Sequence, residues 1–403
     1  MIEQRRTMST HPLRGIKVVE FSHMIMGPSV GLILADLGAD VIKVEPIGGD
    51  KTRRLKGAGT GYFPMFNRNK KSICIDLKSD EGAALAKQLI AKADVFIENM
   101  RPGALDKLGF GYKALTADNP SLVYCSEKGF LSGPYENRTA LDEIAQMMGG
   151  LAYMTGPPGQ PLRAGASVVD ITGGMFGVIG VLSALIERAQ TGKGCQVTAS
   201  LYETTVFLVG QHMAQKAVTG VAADPMPARI SAWAIYDVFD TADGEKVFVG
   251  VVSDTQWPIF CRAFGFDDWL EDESLSENSN RVERRKDTIM PRVRATFAGL
   301  TKPELMDTLQ TAGLPFAPIA RPEDLFDDPH LVQSGGLINL TLPDGKETNL
   351  PALPIEFDTD RPRLDGDPPQ AGEHTRAVLD ELSLGGEDID ALIARNIVGV
   401  PHE

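Results

Sequence analysis

The sequence predicts an α/β protein in two parts, a doubly wound parallel sheet in a large domain and a smaller α+β domain. Three observations predict it. Short apolar runs alternate with amphipathic helical stretches through the first half, which places helices on both faces of a parallel sheet. The texture changes at Asp224, where Pro225 and Pro227 punctuate a linker and hairpin signals replace the alternation. After Pro354 the chain becomes Pro- and Asp-rich, then helical again. The division is 12–205 for the large domain, 225–330 for the small one and 355–403 for a C-terminal segment, with linkers at 206–224 and 331–354.

The elements follow in order. Ile16–Phe21 reads as a strand, Pro28–Leu37 repeats apolar residues at helical spacing, and Asp40–Glu45 is a second strand. Ser79 suits an N-cap, with Asp80 and Glu81 in the first turn and Lys87 and Lys92 towards the end, an order that fits the helix dipole. Asp94–Glu98 and Leu122–Ser126 are further strands. Ile235–Phe239 and Lys246–Val252 flank Asp243-Gly244 as a hairpin, a charge-rich helical stretch runs to about Leu309, and a second Asp-Gly turn sits at Asp344-Gly345. Gly372–Leu382 and Gly386–Ala394 close the chain as helices.

Composition narrows the function. Of 403 residues, 54 are acidic and 40 basic, a net charge of −14 that repels phosphodiester backbones and excludes nucleic acid as the main partner. Cys74, Cys125, Cys195 and Cys261 lie far apart, without metal-ligand spacing, and read as buried thiols of a reducing cytosol. No zinc or other metal site is expected. The stretch Ile144–Leu162 is broken by four Gly and three Pro, and Ile171–Ile186 has 16 residues, short of the roughly 20 a membrane span needs. Met1–His11 is polar and charged, without the apolar core of a signal peptide, and reads as a leader. A soluble, cytoplasmic protein is expected.

A dinucleotide fold would place G-x-G-x-x-G after the first strand; Ser22–Ser29 has a single Gly, and no Walker lysine loop occurs. Between Lys51 and Ile75 stand seven basic residues (Lys51, Arg53, Arg54, Lys56, Arg68, Lys70, Lys71) and no acidic one. In an acidic chain this is a local positive field suited to a multiply phosphorylated ligand, or else a solvated basic loop.

Several segments, in order, resemble class III CoA-transferases, the CaiB/BaiF group. They are Pro12–His23 with Gly27-Pro28, Leu37–Glu45, Gly49-Asp50, Asn67–Ser72, Glu98–Gly103, Thr191–Gly194 and Gly372–Thr375. The resemblance implies a Rossmann-like, CoA-binding large domain to which 355–403 returns, and an interlocked homodimer with linkers extended and buried by the partner. It implies no permanently bound cofactor; a coenzyme A thioester is the substrate and a carboxylic acid the acceptor.

By the same resemblance the covalent nucleophile falls on Asp170, in Gly165–Gly174. Read from the residues alone, Asp170 interrupts a strand-like apolar run before a glycine pair and a long apolar helix, and capping that helix is the competing role. An aspartate ionised at pH 7 attacks a thioester carbonyl without a general base. The expected course is an aspartyl–acyl anhydride, an aspartyl-CoA thioester, then attack by the acceptor carboxylate, with oxyanion donors at the glycine-rich turn. Glu143 matches a glutamate beside the nucleophile in formyl-CoA transferases. His23, Met24, Leu77, Lys78, Asn99, Met100 and Lys107 match CoA-contact positions, Lys107 replacing an arginine.

Racemases of the group carry a histidine in a Gly-His-Asp segment, where this chain has Ala140-Leu141-Asp142, so transferase is favoured over isomerase. A catalytically silent CoA-binding protein is the reading from another class. For the substrate, Ile25 stands where formyl-CoA enzymes have glutamine, and Ala228–Trp233 replaces their glycine run. Arg229 is then the candidate clamp for a second carboxylate, which favours a succinate-like or methyl-branched C4–C5 diacid, and a salt bridge to an acidic neighbour is its bland alternative.

Overall fold

The computed structural model describes residues 11–401 apart from 230 and 364, so of the Met1–His11 leader only His11 is described. The chain forms two compact units, one running to Pro227 and resuming at Pro329, the other spanning Ala228–Asp328.

The first unit opens as an alternation: β1 (Lys17–Phe21), α1 (Met26–Asp36), β2 (Asp40–Glu45), α2 (Tyr62–Phe66), β3 (Lys70–Ile75), α3 (Asp80–Ala91) and β4 (Val95–Glu98). It continues through α4 (Ala104–Lys107), α5 (Tyr112–Asp118), β5 (Val123–Lys128), α6 (Asp142–Met148), α7 (Leu151–Thr155), α8 (Val168–Thr191), β6 (Gln196–Ser200), α9 (Leu201–Leu208) and α10 (Gly210–Thr219). In the second unit, β7 (Ile235–Asp240), β8 (Lys246–Val251) and β9 (Phe316–Pro318) make an antiparallel sheet. Among the described residues five α-helices accompany it, α11 (Gln256–Phe264), α12 (Asp268–Glu271), α13 (Asn278–Glu283), α14 (Met290–Phe297) and α15 (Lys302–Ala312). The returning chain adds α16 (Pro329–Gln333), β10 (Leu337–Thr341), β11 (Glu347–Pro351), α17 (Thr375–Glu381), α18 (Gly386–Ala394) and β12 (Val398–Gly399).

The main sheet has the order β12-β3-β2-β1-β4-β5-β6, and every pair is parallel except β12 on β3. Without its edge strand this is the doubly wound order of dinucleotide-binding folds. Alternation along the strands fills two cores. Val18, Val41, Val95, Ile97 and Val123 pack with Val30 and Leu34 of α1 and Val178 and Val181 of α8. Val19, Phe21, Ile42, Val44, Phe96 and Tyr124 pack on the other face with α3, α5, α17 and α18. The second unit has its own core, centred on Trp257, Phe260, Trp269 and Phe297.

Three expectations need correction. The strand β3 lies inside the run read as a basic loop, since Lys70 and Lys71 masked its apolar half. The segment 206–224 is no extended linker: α9 and α10 cover most of it. Likewise 331–354 holds the β10–β11 hairpin, turning at Asp344-Gly345. The apolar stretch after Asp170 is also longer than expected, because α8 is long and apolar enough to cross a membrane by length and composition. Its glycine-rich face is nevertheless buried against α1 and the sheet. All four cysteines are free; Cys195 is only half-buried, unlike the other three.

The positive field is largely spent inside the protein. Arg53 pairs with Glu45 at 2.6 Å, Arg68 with Asp36 at 2.6 Å, Lys70 with Glu20 at 2.8 Å and Lys71 with Asp40 at 3.0 Å. Of the seven cations, Lys51, Arg54 and Lys56 remain exposed.

Of these acids Glu20, fully buried near the end of β1, serves two lysines. One carboxylate oxygen receives Lys43 Nζ at 3.2 Å and Ser22 Oγ at 2.7 Å, while the other faces Lys70. Burial pulls the Lys70 ammonium down to about 8, with Lys43 repelling it and Glu20 opposing the fall. Glu20→Gln preserves the shape but leaves two buried lysines without their shared counter-ion. It should cost roughly 3–5 kcal/mol, read as a lower urea midpoint at unchanged slope.

Candidate active site

In a doubly wound sheet the ligand crevice opens beyond the carboxyl ends of the strands, where the strand order reverses. Here that point lies between β1 and β4. The chain leaving β1 is Ser22–Ile25 and the chain leaving β4 is Asn99-Met100, and two hydrogen bonds lock them together. The His23 amide donates to Asn99 Oδ1 at 3.0 Å, and Asn99 Nδ2 donates to the His23 carbonyl at 2.8 Å.

The turn is built on the buried charges below it. Lys43 Nζ donates to the Ser22 carbonyl at 2.6 Å and lies 3.4 Å from Asp50. Asp50 Oδ1 accepts the Thr52 amide and hydroxyl, both at 2.9 Å, and Thr52 Oγ1 accepts the Met24 amide at 3.1 Å. Met24 is thereby held at φ 64, a left-handed conformation that non-glycine residues seldom adopt. Desolvation holds the His23 imidazole below its ordinary value, with Asp50 opposing and Lys43 reinforcing the fall.

The other residues matched to CoA contacts follow the same edge of the sheet. Leu77 and Lys78 come after β3, Leu77 against the core and Lys78 exposed; Lys107 is exposed at the end of α4. Ile25 lies deeper than a substrate contact requires. It is 2% exposed, in a cluster with Leu32, Phe66 and Ile171.

That cluster joins the crevice to α8. Met26 of α1 lies over Gly173, and a Cβ at Gly174 would stand 2.8 Å from the Met26 carbonyl oxygen, so the glycine pair permits two helices to touch. The pair is inside α8, not in a turn before it, and the expected oxyanion donors are not there.

Asp170 occupies the third position of α8. The strand-like run before it is loop as far as Ser167 and helix from Val168, and Asp170 does not cap the helix. Asp142, the first residue of α6, does so from outside: its Oδ2 accepts the amides of Val169 at 3.0 Å and Asp170 at 3.1 Å. Its other oxygen accepts Gln146 Nε2 at 2.5 Å, and Gln146 Oε1 accepts the Ala164 amide at 2.9 Å. Glu143 is exposed and hydrogen-bonded to Arg163 Nη1, and its charge still reaches Asp170. The carboxylate hydrogen-bonded to the backbone at the nucleophile position is therefore Asp142, the residue before Glu143.

Burial pushes the Asp170 carboxyl up to about 7; Asp142 and Glu143 add to the rise and Arg163 opposes it. The free site is thus divided between carboxylic acid and carboxylate at neutral pH, a correction to the expectation of full ionisation. Asp142 and Arg163 were the residues sequence reasoning missed. Arg163 left one signal, as the sole basic residue between Arg138 and Arg188. Arg229 is exposed at the start of the second unit. Among the described residues, no group of three or more His, Cys, Asp or Glu is disposed to hold a metal ion.

Residues 13–375 match the family described as CoA-transferase family III. The chain belongs to this family. It is 34% identical to succinate–glutarate CoA-transferase of Agrobacterium fabrum, covering 92% of this chain and 96% of that protein. It is 33% identical to formyl-CoA:oxalate CoA-transferase of Escherichia coli O157:H7, over 96% of this chain and 99% of the relative. A solved CaiB/BaiF family protein from Brucella suis superimposes with a TM-score of 0.82 at 35% identity, over 93% of this chain and all of that one. The chain is accordingly a CoA-transferase.

The raised Asp170 carboxyl has a consequence for stability. Folded Asp170 keeps its proton up to about pH 7, whereas an unfolded aspartate releases it near 3.9. Between those values the folded state binds more protons, so the contribution of this group falls as pH rises and levels off above about 7. Asp170→Asn should therefore be more stable than wild type near pH 8 and of equal stability near pH 4, measured by paired urea melts.

Proposed function

We propose that this CoA-transferase works through covalent intermediates on Asp170 and takes a short-chain dicarboxylic acid as donor or acceptor. The observation that carries the mechanism is the setting of Asp170, in a helical first turn held by Asp142 and packed through Ile171 and Met26 onto the crevice turn.

The steps balance without ATP. An Asp170 oxygen attacks the thioester carbonyl, the C–S bond breaks, and CoA thiolate leaves an aspartyl–acyl anhydride. The thiolate attacks the aspartyl carbonyl, releasing the donor as its carboxylate and forming aspartyl-CoA. The acceptor carboxylate then displaces the thiolate, which attacks the acceptor's acyl carbon and regenerates Asp170. Each bond broken is replaced by one of similar energy. Asp170 must begin as carboxylate, so its proximity to two acids carries a cost in rate below neutral pH.

A diacid is supported by the glutarate and oxalate named for the relatives. An acyl-CoA racemase is disfavoured because two-base chemistry needs a second proton carrier, and Ala140-Leu141-Asp142 stands where racemases of the group carry their histidine. The proposal includes a homodimer. Met175 and Ile179 of α8, Phe207 of α9 and Met213 and Val218 of α10 are exposed, Phe207 at 71% and Val218 at 86%, an apolar surface suited to a second copy.

Asp170→Ala should lower kcat by roughly four to six orders of magnitude while sparing CoA affinity. The wild-type rate should rise with pH through about 7, and hydroxylamine added with acyl-CoA should label Asp170. Near wild-type turnover in the variant would end the mechanism. Light scattering should return the mass of two chains; a monodisperse monomer would end the dimer.

A further inference from the structure

Arg163 lies in the loop between α7 and α8, and its guanidinium is engaged on every side. Nε donates to the Ala164 carbonyl at 3.1 Å, and Nη2 donates to the Ala166 carbonyl at 3.2 Å. Nη2 also stands 3.5 Å from Asp142 Oδ1, and Nη1 donates to Glu143. The Ala164 amide returns to Gln146, whose side chain donates to Asp142. A closed circuit therefore runs from Arg163 through Asp142, Gln146 and Ala164. It binds α6 to the last residues before α8.

An exposed arginine–glutamate pair normally contributes little. Arg163 differs because two of its partners are backbone carbonyls, which fix the planar fork and prevent it from following Glu143 into solvent. From the Asp170 side, the charged groups that bear on the carboxyl are Asp142 and Glu143 of α6 and Arg163 of the loop. Two are anionic and one is cationic.

We infer that Arg163 is a positioning residue of the transfer, tying both α6 carboxylates to the loop that enters α8 so that the first turn of the helix, and Asp170 on it, is held in place. This rests on Asp170 as the nucleophile. The charge cycle explains why a fixed cation matters there. Asp170 attacks as the anion, whereas the anhydride and the thioester on it are neutral. A constant positive charge stabilises the attacking carboxylate, and its loss leaves Asp142 and Glu143 unopposed. The nucleophile then holds its proton to higher pH.

The experiment is the pH dependence of kcat for wild type, Arg163→Ala, Arg163→Lys and Glu143→Gln, with CoA affinity measured alongside. For Arg163→Ala the acidic limb should move up by about one pH unit, giving a rate roughly fivefold lower near pH 7 and roughly tenfold lower below about pH 6, with recovery above about pH 9. Arg163→Lys should restore part of the shift, because it keeps the charge but not the fork. Glu143→Gln should move the limb the opposite way, and CoA affinity should be unchanged in all three. An equal loss at every pH, or no loss, would overturn the assignment. If Arg163→Ala does not fold, Arg163→Lys and Glu143→Gln decide: two limbs coincident with wild type would overturn it. Hydroxylamine labelling of the wild type tests the nucleophile separately, so failure of that premise is distinguishable from failure of Arg163.

Discussion

The Glu20 carboxylate, buried at the end of the first strand, is the interaction on which the rest of the molecule depends. It is surrounded by Lys43, Lys70 and Ser22 where a purely apolar core would normally lie. Charges taken out of water are costly unless each finds its partners. Here the partners extend outward, from Lys43 to the Ser22 carbonyl and Asp50, and from Asp50 through Thr52 to Met24. The buried lattice ends at the crevice turn. The left-handed Met24 and the His23–Asn99 lock are its surface expression, and a dinucleotide-type glycine loop is not needed to shape them.

A second constraint governs the nucleophile. Helix α8 begins without a capping side chain of its own, and Asp142 supplies one from α6. The same carboxylate that orients the first turn also disfavours the anion at Asp170. Structure and reactivity are coupled there through a single side chain. The glycines behind Asp170 act at longer range, bringing α8 close enough to α1 for the crevice turn and the nucleophile to share one packed cluster.

Legibility followed periodicity. Strands β1, β2, β4 and β5 stood out as apolar runs of β-branched residues, and the hairpin around Gly244 (φ 79) by its turn chemistry. Strand β3 was hidden because Lys70 is turned inward to an acid, against the rule that lysines mark a surface. The sequence pointed to Glu143, whereas the carboxylate that bonds the first turn of α8 is its neighbour Asp142. A helix points adjacent residues about a quarter-turn apart, and only packing decides which of Asp142 and Glu143 faces α8.

By itself the sequence determined the alternation that carries β1, β2, β4 and β5, the two-part division, the family and the candidate nucleophile. These depend on local pattern and on segments in fixed order along the chain. Only the tertiary structure decided which charges cancel. The run from Lys51 to Ile75 is strongly basic in sequence, yet Glu20, Asp36, Asp40 and Glu45 come from other segments to neutralise most of it. It also decided that Asp170 is a weak acid poised near neutrality, because burial and the fields of Asp142, Glu143 and Arg163 arise only when α6, the following loop and α8 converge. Electrostatic energy depends on distance through space and on exclusion of water, and neither is written in the spacing of residues along a chain.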